Sequence, residues 1–280
     1  MKFLTISALI AVLAVPTAAT AADKHKPTLR GAVKVGTTFR TRVVRSHAML
    51  ENRAELAVFQ GQTVLTAVIK VTAVDGSQIT GAEITIEDFA DAPTRGELRT
   101  LPAGTKLVVV REGRRGKISD PSGKLSKKDL QPLNRSKVLS AVLTGAPPWI
   151  SGPPEAVTNG DTWTLDGKAI GKKLGMGMEK ANVKAKAWLN DVSDKSYSIV
   201  GELKVDGINV ANPKIKSIRS TDGKVAGETT VTVAKDGTGP VLQLIDRKSV
   251  WMTITIERDG KDVSTPTVMN TTTSVRNTIL

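Results

Sequence analysis

The chain has 280 residues, no cysteine and a formal net charge of +13 at pH 7. Without cysteine it can have no disulfides, no thiol catalysis and no thiolate metal site. The length suffices for one large or two modest domains. Because aromatic residues make up only 3% of the chain, the core must consist mainly of Val, Ile, Leu and Ala.

Residues 1–22 have the order of a secretory signal peptide. Lys2 supplies a positive start, residues 3–15 are almost wholly apolar, and Pro16 precedes a run of small residues. The apolar run is shorter than the roughly 20 residues that a transmembrane helix needs. We expect cleavage after Ala21 or Ala22, a secreted or periplasmic location, and no transmembrane segment after the signal peptide. Loss of Lys2 would lower the net charge by one, from +13 to +12.

Whether the mature chain has an N-terminal metal site depends on the position of cleavage. Cleavage after Ala22 gives an N-terminus of Asp23, Lys24 and His25. The free amine, two backbone amides and the imidazole of His25 would then form a square-planar site for Cu(II) or Ni(II). Cleavage one residue earlier removes this site, and His25 is then an ordinary residue of a flexible basic arm over residues 23–34.

Apolar and polar residues alternate along most of the mature sequence, which is typical of strands with one buried face. In residues 39–43 the two arginines share one face, and Phe39 and Val43 share the other. Asp-Gly pairs begin at Asp75, Asp166, Asp206, Asp222, Asp236 and Asp259. All but the pair at Asp166 predict hairpin turns. We therefore predict a mainly β fold of antiparallel curved sheets, sandwich-like or half-barrel-like, with one or two short helices.

Two segments have helical patterns. Asn134 is expected to cap a helix over residues 135–144, which Gly145 ends. Asp166 is expected to cap a second helix over residues 168–174.

Residues 145–160 contain four prolines and three glycines, a composition that marks a linker. We interpret the chain as a β-rich first half over residues 35–144 and a β-rich second half over residues 161–280. The two halves are either separate domains or parts of one curved sheet.

Positive charge is concentrated between Arg111 and Lys137, where nine basic residues face three acidic ones. A positive electrostatic field of this kind favours the binding of polyanions. The predicted anionic-ligand-binding surface consists of Arg111, Arg114, Arg115, Lys117, Lys124, Lys127 and Lys128. Its expected partner is an anionic envelope polysaccharide or lipid. Nucleic acid is disfavoured, because single-strand binders need aromatic stacking platforms and the chain has one tyrosine. The alternative is a set of solvated lysines that aid solubility.

Candidate catalytic groups are few. His47 could act as a general base, but the adjacent Ser46 would point to the opposite side of a strand. An acidic cluster consists of Glu83, Glu87, Asp88 and Asp91. Paired carboxylates could hydrolyse glycosides or bind calcium, yet EF-hand spacing and sugar-stacking aromatics are both missing here. We favour a partly exposed strand histidine and a solvated acidic edge, and we predict no catalytic residue and no cofactor.

Three features of the second half carry a resemblance: Gly160-Asp161-Thr162-Trp163, the short helix ending near Gly175, and the Asp-Gly hairpins that follow. This layout resembles an uncharacterised class of secreted bacterial β-rich proteins and lipoproteins. The chain departs from the lipoprotein members, because it lacks their lipid-bearing cysteine. The resemblance implies a β-rich envelope protein, but no activity and no site.

Three hypotheses about function follow. The first is an exported, non-catalytic binding or structural protein of the cell envelope or extracellular space, in contact with anionic polymers or lipids. The second is a carrier of a lipid or other apolar ligand in a curved β-sheet, which requires an open apolar face. The third is a hydrolase that uses His47 or the acidic cluster.

Overall fold

A computed structural model gives the fold of most of the chain. It describes residues 23–29, 31–51, 59–76, 78–93, 96–112, 115–174, 181–211, 218–258 and 261–280. The strands are β1 (Thr38–Glu51), β2 (Phe59–Asp75), β3 (Gln78–Ala92), β4 (Arg99–Thr100), β5 (Lys106–Glu112), β6 (Arg115–Ser119), β7 (Thr162–Thr164), β8 (Asn182–Val192), β9 (Ser196–Ala211), β10 (Ile218–Ala234), β11 (Gln243–Arg258) and β12 (Lys261–Ile279). The helices are α1 (Gln131–Ser136), α2 (Val138–Thr144) and α3 (Gly167–Leu174). In the described part of the chain, none of these helices is long and apolar enough to cross a membrane.

The strands form one open antiparallel sheet in the order β6-β5-β3-β2-β1-β12-β11-β10-β9-β8-β7, with β4 paired to β3. The first and last strands pair at its centre, from Phe39 opposite Ile279 to Glu51 opposite Thr267. Strands that precede residues 145–160 lie on one side of this pair, and strands that follow lie on the other. The prediction of a mainly β fold with few helices is confirmed.

The Asp-Gly pairs have two different roles. The pairs at Asp75 and Asp236 lie in turns after β2 and β10, where Gly76 and Gly237 have φ of 57° and 69°. The pairs at Asp206 and Asp222 lie inside β9 and β10, where the pairing register shifts between Ser220 and Lys224. The hairpin prediction is wrong at these two pairs, because the strands continue through them as a bulge. The pair at Asp259 lies outside the described residues.

The helix predicted over residues 135–144 is two helices in the structure. Lys137 has a left-handed φ of 57°, and it ends α1 at Ser136 before α2 begins at Val138. Asn134 therefore lies inside α1 instead of capping a helix. The apolar side was predicted correctly, since Val138, Leu139, Val142 and Leu143 are all buried. In α3 the predicted cap is confirmed, because the amide of Ala169 donates to the Asp166 carboxylate at 3.0 Å.

Helix α2 and residues 145–160 pack on one face of the sheet, which we call the inner face. Helix α2 contacts β1, β2, β3 and β12. Trp149 and Ile150 are buried and lie so close to Gly201 of β9 that a Cβ there would meet both side chains. Trp163 is also buried, and its indole N–H donates to the Ser151 carbonyl.

The N-terminal segment of the described chain also contacts this core. Leu29 and Val33 are 4% and 7% exposed, so both belong to the buried set. His25 exchanges two backbone hydrogen bonds with Val157, at 2.7 and 2.8 Å. The segment predicted as a basic arm thus reaches across residues 145–160 and adds two apolar side chains to the interior.

Candidate ligand-binding site

The inner face carries a continuous band of apolar side chains at the level of the helices. In adjacent antiparallel strands, directly opposite residues point to the same face. One residue from each of eight strands forms this first apolar row: Phe89, Leu65, Val43, Val275, Leu244, Val231, Ile199 and Leu189. Each of them is at most 4% exposed. This row is the centre of the folding core.

Two residues further along each strand, the same face becomes polar. The polar row consists of Asp91, Thr63, Arg45, Thr273, Asp246 and Thr229, on β3, β2, β1, β12, β11 and β10. Thr63 donates its hydroxyl to Asp91 at 2.7 Å, and Thr229 donates to Asp246 at 2.6 Å. Both carboxylates therefore keep a hydrogen-bond donor at the edge of the core, which offsets part of their desolvation cost.

Lys248 follows Asp246 on the inner face of β11, and the two side chains form an ion pair at 2.7 Å. Their side chains are 35% and 15% exposed. The Asp246 carboxylate also attracts the positively charged guanidinium of Arg45. Basic groups on β1 and β11 therefore lie in or next to the polar row, beside the core.

Beyond the polar row, the inner face becomes apolar again. The second apolar row consists of Met49, Met269, Val250, Val225 and Val205, on β1, β12, β11, β10 and β9. Val225 and Val205 are buried, whereas Met49, Met269 and Val250 are half-buried. Exposure is high at the end of β11 and the start of β12, where Ile256 is 46% and Val263 is 51% exposed, although Thr267, between them and Met269, is buried. An apolar surface therefore continues on the sheet past the helix layer.

A cavity of about 460 Å³ lies between the polar row and the end of α1. It is lined by Arg45, His47, Thr63, Asp91, Pro93, Arg99, Arg135 and Ser136. The three arginines come from β1, β4 and α1, so the cavity exists only in the folded chain. Three guanidinium groups face one carboxylate, which leaves an excess of two positive charges at neutral pH.

Arg45 connects this cavity to the helix layer. Its guanidinium donates to the carbonyl oxygen of Ser136 at the end of α1, at 2.5 Å. Burial lowers the pKa of Arg45 from its ordinary value, and the Asp246 carboxylate opposes that shift. An arginine stays charged despite such a shift, so Arg45 supplies a fixed positive charge to the lining of the cavity.

His47 lies against a glycine that gives its ring room. A Cβ on Gly61, its partner on β2, would lie 2.7 Å from Cε1 and 2.9 Å from Nε2 of the imidazole. Burial is the main cause that lowers the pKa of His47, Arg45 lowers it further, and Asp91 opposes both. The imidazole is therefore predominantly neutral at pH 7. In this neutral form it has one N–H that donates a hydrogen bond and one nitrogen that accepts one.

The predicted anionic-ligand-binding surface lies elsewhere, on the sheet edge and the loop after it. Arg111 and Lys117 belong to the β5–β6 pair, Arg114 lies outside the described residues, and only the backbone of Arg115 is described. Lys124, Lys127 and Lys128 are exposed in the loop before α1. Arg111 lines a separate cavity of about 320 Å³ between this edge and the two helices. That these basic residues bind an anionic ligand stays a prediction.

Two carboxylates order that basic loop. Asp120 accepts hydrogen bonds from the amide and hydroxyl of Ser122 and from the Leu125 amide, and the Ser122 hydroxyl is the main cause that lowers the pKa of Asp120. Asp129 accepts from Ser126 in the same way, which lowers its pKa too. Both therefore stay ionised to lower pH and partly neutralise the lysines.

The other predicted residues are dispersed. Ser46 accepts a hydrogen bond from Gln62 on the outer face, whereas His47 lines the inner cavity, so the two point apart as expected. The acidic cluster is divided between the faces: Glu87 pairs with Arg40 at 2.7 Å, while Asp91 lines the cavity.

The metal hypothesis for His25 is not tested by the described residues. The His25 amide, which would be a metal ligand, donates to Val157, and its ring lies 5.4 Å from that of Tyr197. In the described part of the chain, no group of three or more His, Asp or Glu side chains is arranged for a metal ion.

Comparison with known proteins assigns no family: no family model matches the chain, and no curated protein matches its sequence. A solved structure on lipid–protein interactions in lipovitellin is 9% identical with a TM-score of 0.41, over 88% of this chain and 25% of that chain. The chain thus spans a quarter of that protein's length. A porin-like protein from Bacteroides uniformis is 12% identical over 91% and 98% of the two chains, with a TM-score of 0.18. OpdL of Pseudomonas aeruginosa is 6% identical over 87% and 99%, with a TM-score of 0.19. All three TM-scores are below 0.5, so these likenesses assign no function.

Proposed function

We propose that this chain is an exported, non-catalytic binding protein that holds a hydrocarbon chain against the half-exposed part of its inner face beyond the polar row. The observation that carries the proposal is the second apolar row with its continuation along β11 through Met252, Ile254 and Ile256. A sheet normally buries its apolar face against another layer. Here Met49, Met269 and Met252 are only half-buried, and methionine adapts readily to ligands of variable shape.

The exposed end of this surface supports a ligand more strongly than an isolated apolar residue would. Ile256 lies directly opposite Val263, and both are about half exposed. Together with Met252 and Ile254 they continue the apolar stripe away from the cavity. Contiguous exposed apolar surface commonly marks a site of interaction.

A non-catalytic role fits the arrangement of the polar groups. Ser46 and His47 lie on opposite faces, so the histidine cannot activate that serine. Asp91 is engaged by Thr63, and Glu87 lies on the other face in an ion pair with Arg40. The hydrolase hypothesis therefore has no nucleophile and base in one place among these candidates.

A second candidate function is adhesion to an anionic envelope polymer through the edge of the sheet. The observation that favours it is the group of exposed lysines at Lys117, Lys124, Lys127 and Lys128. Binding of this kind would weaken steeply with ionic strength, whereas binding of a neutral hydrocarbon chain would not.

The test is titration of the purified full chain with lauroylglycerol, a neutral lipid with one hydrocarbon chain, together with native mass spectrometry of the protein as purified. We expect saturable binding that Met269→Gln and Met252→Gln each weaken about three- to tenfold, because they place an amide in the apolar stripe. Thr253→Gln, next to Met252 but on the outer face, is the matched control and should bind normally. A protein that is empty as purified and binds no lauroylglycerol would refute the proposal.

A further inference from the structure

The cavity of Arg45, Arg99 and Arg135 meets the second apolar row on β1, the strand that contributes Arg45 and His47 to the cavity and Met49 to the row. Along β1, the inner-face residues follow in the order Val43, Arg45, His47 and Met49. Four residues of strand span about 13 Å, so the guanidinium of Arg45 and the thioether of Met49 can contact two parts of one ligand.

We infer that this cavity binds the phosphate head group of a single-chain lipid, whose hydrocarbon chain lies along Met49, Met269 and the inner face of β11. This inference rests on the proposed function, because it assigns the polar end of the same ligand. The geometry that carries it is the succession of a basic cavity and an apolar stripe along the inner face of β1.

Charge distinguishes a phosphate from other head groups. The cavity has three guanidinium groups and one carboxylate among its lining residues, and its excess of two positive charges matches a phosphate monoester, which carries close to two negative charges. A guanidinium also fits a phosphate through two parallel hydrogen bonds. A neutral head group would leave these charges uncompensated.

The three arginines have complementary positions. Arg45 is half-buried and fixed by its bond to the Ser136 carbonyl, which sets one wall of the cavity. Arg99 and Arg135 are exposed, so their guanidinium groups can turn towards a ligand without breaking the core. Thr63 holds the Asp91 carboxylate at 2.7 Å, and this hydrogen bond keeps the one acidic group of the cavity directed at its own strand pair.

His47 is placed at the junction of the two parts. It follows Arg45 and precedes Met49 on the inner face, and its ring fills the space above Gly61. A lipid bound as inferred would pass this ring where its head group joins its chain.

The experiment compares three probes on the same protein by calorimetry: lauroyl lysophosphatidate, lauroylglycerol and inorganic phosphate. The two lipids share one chain and differ by the phosphate. We expect lysophosphatidate to bind at least about tenfold tighter than lauroylglycerol, because charge-assisted hydrogen bonds to the arginines add to the contacts of the chain. Inorganic phosphate should bind more weakly than either, and salt should reduce only the advantage of lysophosphatidate.

Matched variants locate the effect. Arg99→Gln and Arg135→Gln should each weaken lysophosphatidate binding about tenfold and leave lauroylglycerol unchanged. Both side chains are exposed, so the fold should persist. Arg42→Gln is the control: it removes an exposed arginine from the outer face of β1 and should change neither affinity.

The outcomes separate the two proposals. Equal affinity for both lipids, or equal losses in Arg42→Gln and Arg99→Gln, would overturn the head-group assignment and leave the hydrocarbon site standing. Binding of inorganic phosphate as tight as that of lysophosphatidate would overturn the lipid source of the phosphate. Failure of both lipids to bind would overturn the proposed function itself.

Discussion

Two regions of the inner face are made from the same strands and differ in what lies above them. On β1, Phe39 and Val43 are fully buried beneath the helix layer, whereas Arg45, His47 and Met49 on the same face are half-buried. On β12, Val275 is buried and Val263 is half exposed. A continuous sheet thus serves as a core at one end, and on β1 and β11 its inner face becomes more exposed beyond the polar row.

The largest expected difference between the regions is in the cost of removing an apolar side chain. Phe89→Ala, in the first apolar row, should lower the free energy of unfolding by about 3–5 kcal/mol, because it leaves a cavity beneath the helices. Met269→Ala, in the second apolar row, should cost about 1 kcal/mol or less, because the side chain already contacts solvent. Denaturant unfolding measures both, and equal losses would mean that the two regions are equally buried.

Two glycine-to-alanine substitutions, one in each region, should differ in stability by an intermediate amount. Gly201→Ala should cost about 1–3 kcal/mol by overpacking, because its Cβ would lie 2.6 Å from Ile150 and 2.9 Å from Trp149. At Gly61 the new Cβ would lie 2.7 Å from the tip of His47, a flexible side chain that can rotate into the cavity, and 3.3 Å from the Ala92 carbonyl oxygen. The lower backbone entropy of alanine in the unfolded chain, worth about 0.5–1 kcal/mol, should offset that contact.

Both glycine variants can be measured by denaturant unfolding, and the His47 ring resonances report its displacement by NMR. Gly61→Ala should shift those resonances while Gly201→Ala leaves them unchanged. A large loss of stability in Gly61→Ala would contradict the view that the region around His47 has room.

The smallest expected effect is the pH dependence that His47 contributes. An unfolded histidine titrates near pH 6.5, and the folded pKa of His47 is lower. As pH falls through 6.5, the unfolded chain therefore takes up a proton that the folded chain does not, and stability falls until pH drops below the folded pKa. His47→Gln should lose stability less than the wild type between about pH 7.5 and 5.5.

Unfolding curves of the two proteins at both pH values isolate this contribution, because His25 and the carboxylates are common to both. The carboxylates with lowered pKa, such as Asp120 and Asp161, weaken the fold only at more acidic pH, as they become protonated. An identical pH dependence of wild type and His47→Gln would show that burial does not penalise the charged imidazole.

Much of the architecture could be predicted from alternation and turn chemistry. Period-2 alternation placed Phe39 and Val43 on one face of a strand, and both are in the core. The Asp-Gly pair at Asp75 predicted a hairpin correctly, but the pair at Asp222 did not. Both sequences permit a left-handed backbone, and whether such a residue makes a turn or a bulge depends on the length of the neighbouring strands, which the dipeptide does not encode.

The candidate site was beyond sequence reasoning for a different reason. The density of positive charge indicated residues 111–137, which include Arg135, whereas the other two arginines of the cavity, Arg45 and Arg99, lie outside that range on separate elements. Their proximity depends on strand pairing. One signal was present: continuing the alternation of Phe39 and Val43 by steps of two places Arg45 and His47 on the inward face, where charged residues are rare unless paired or functional.

The pairing of β1 with β12 has a consequence for how the chain folds. The central seam of the sheet joins residues that are more than 200 positions apart, from Phe39 with Ile279 to Glu51 with Thr267. Contacts of such sequence separation carry a high loop-closure entropy and slow folding. Each half can form its own hairpins early, but its inner strand keeps an unpaired edge until β12 meets β1. A folding intermediate of two unjoined half-sheets is therefore the state most exposed to edge-to-edge aggregation.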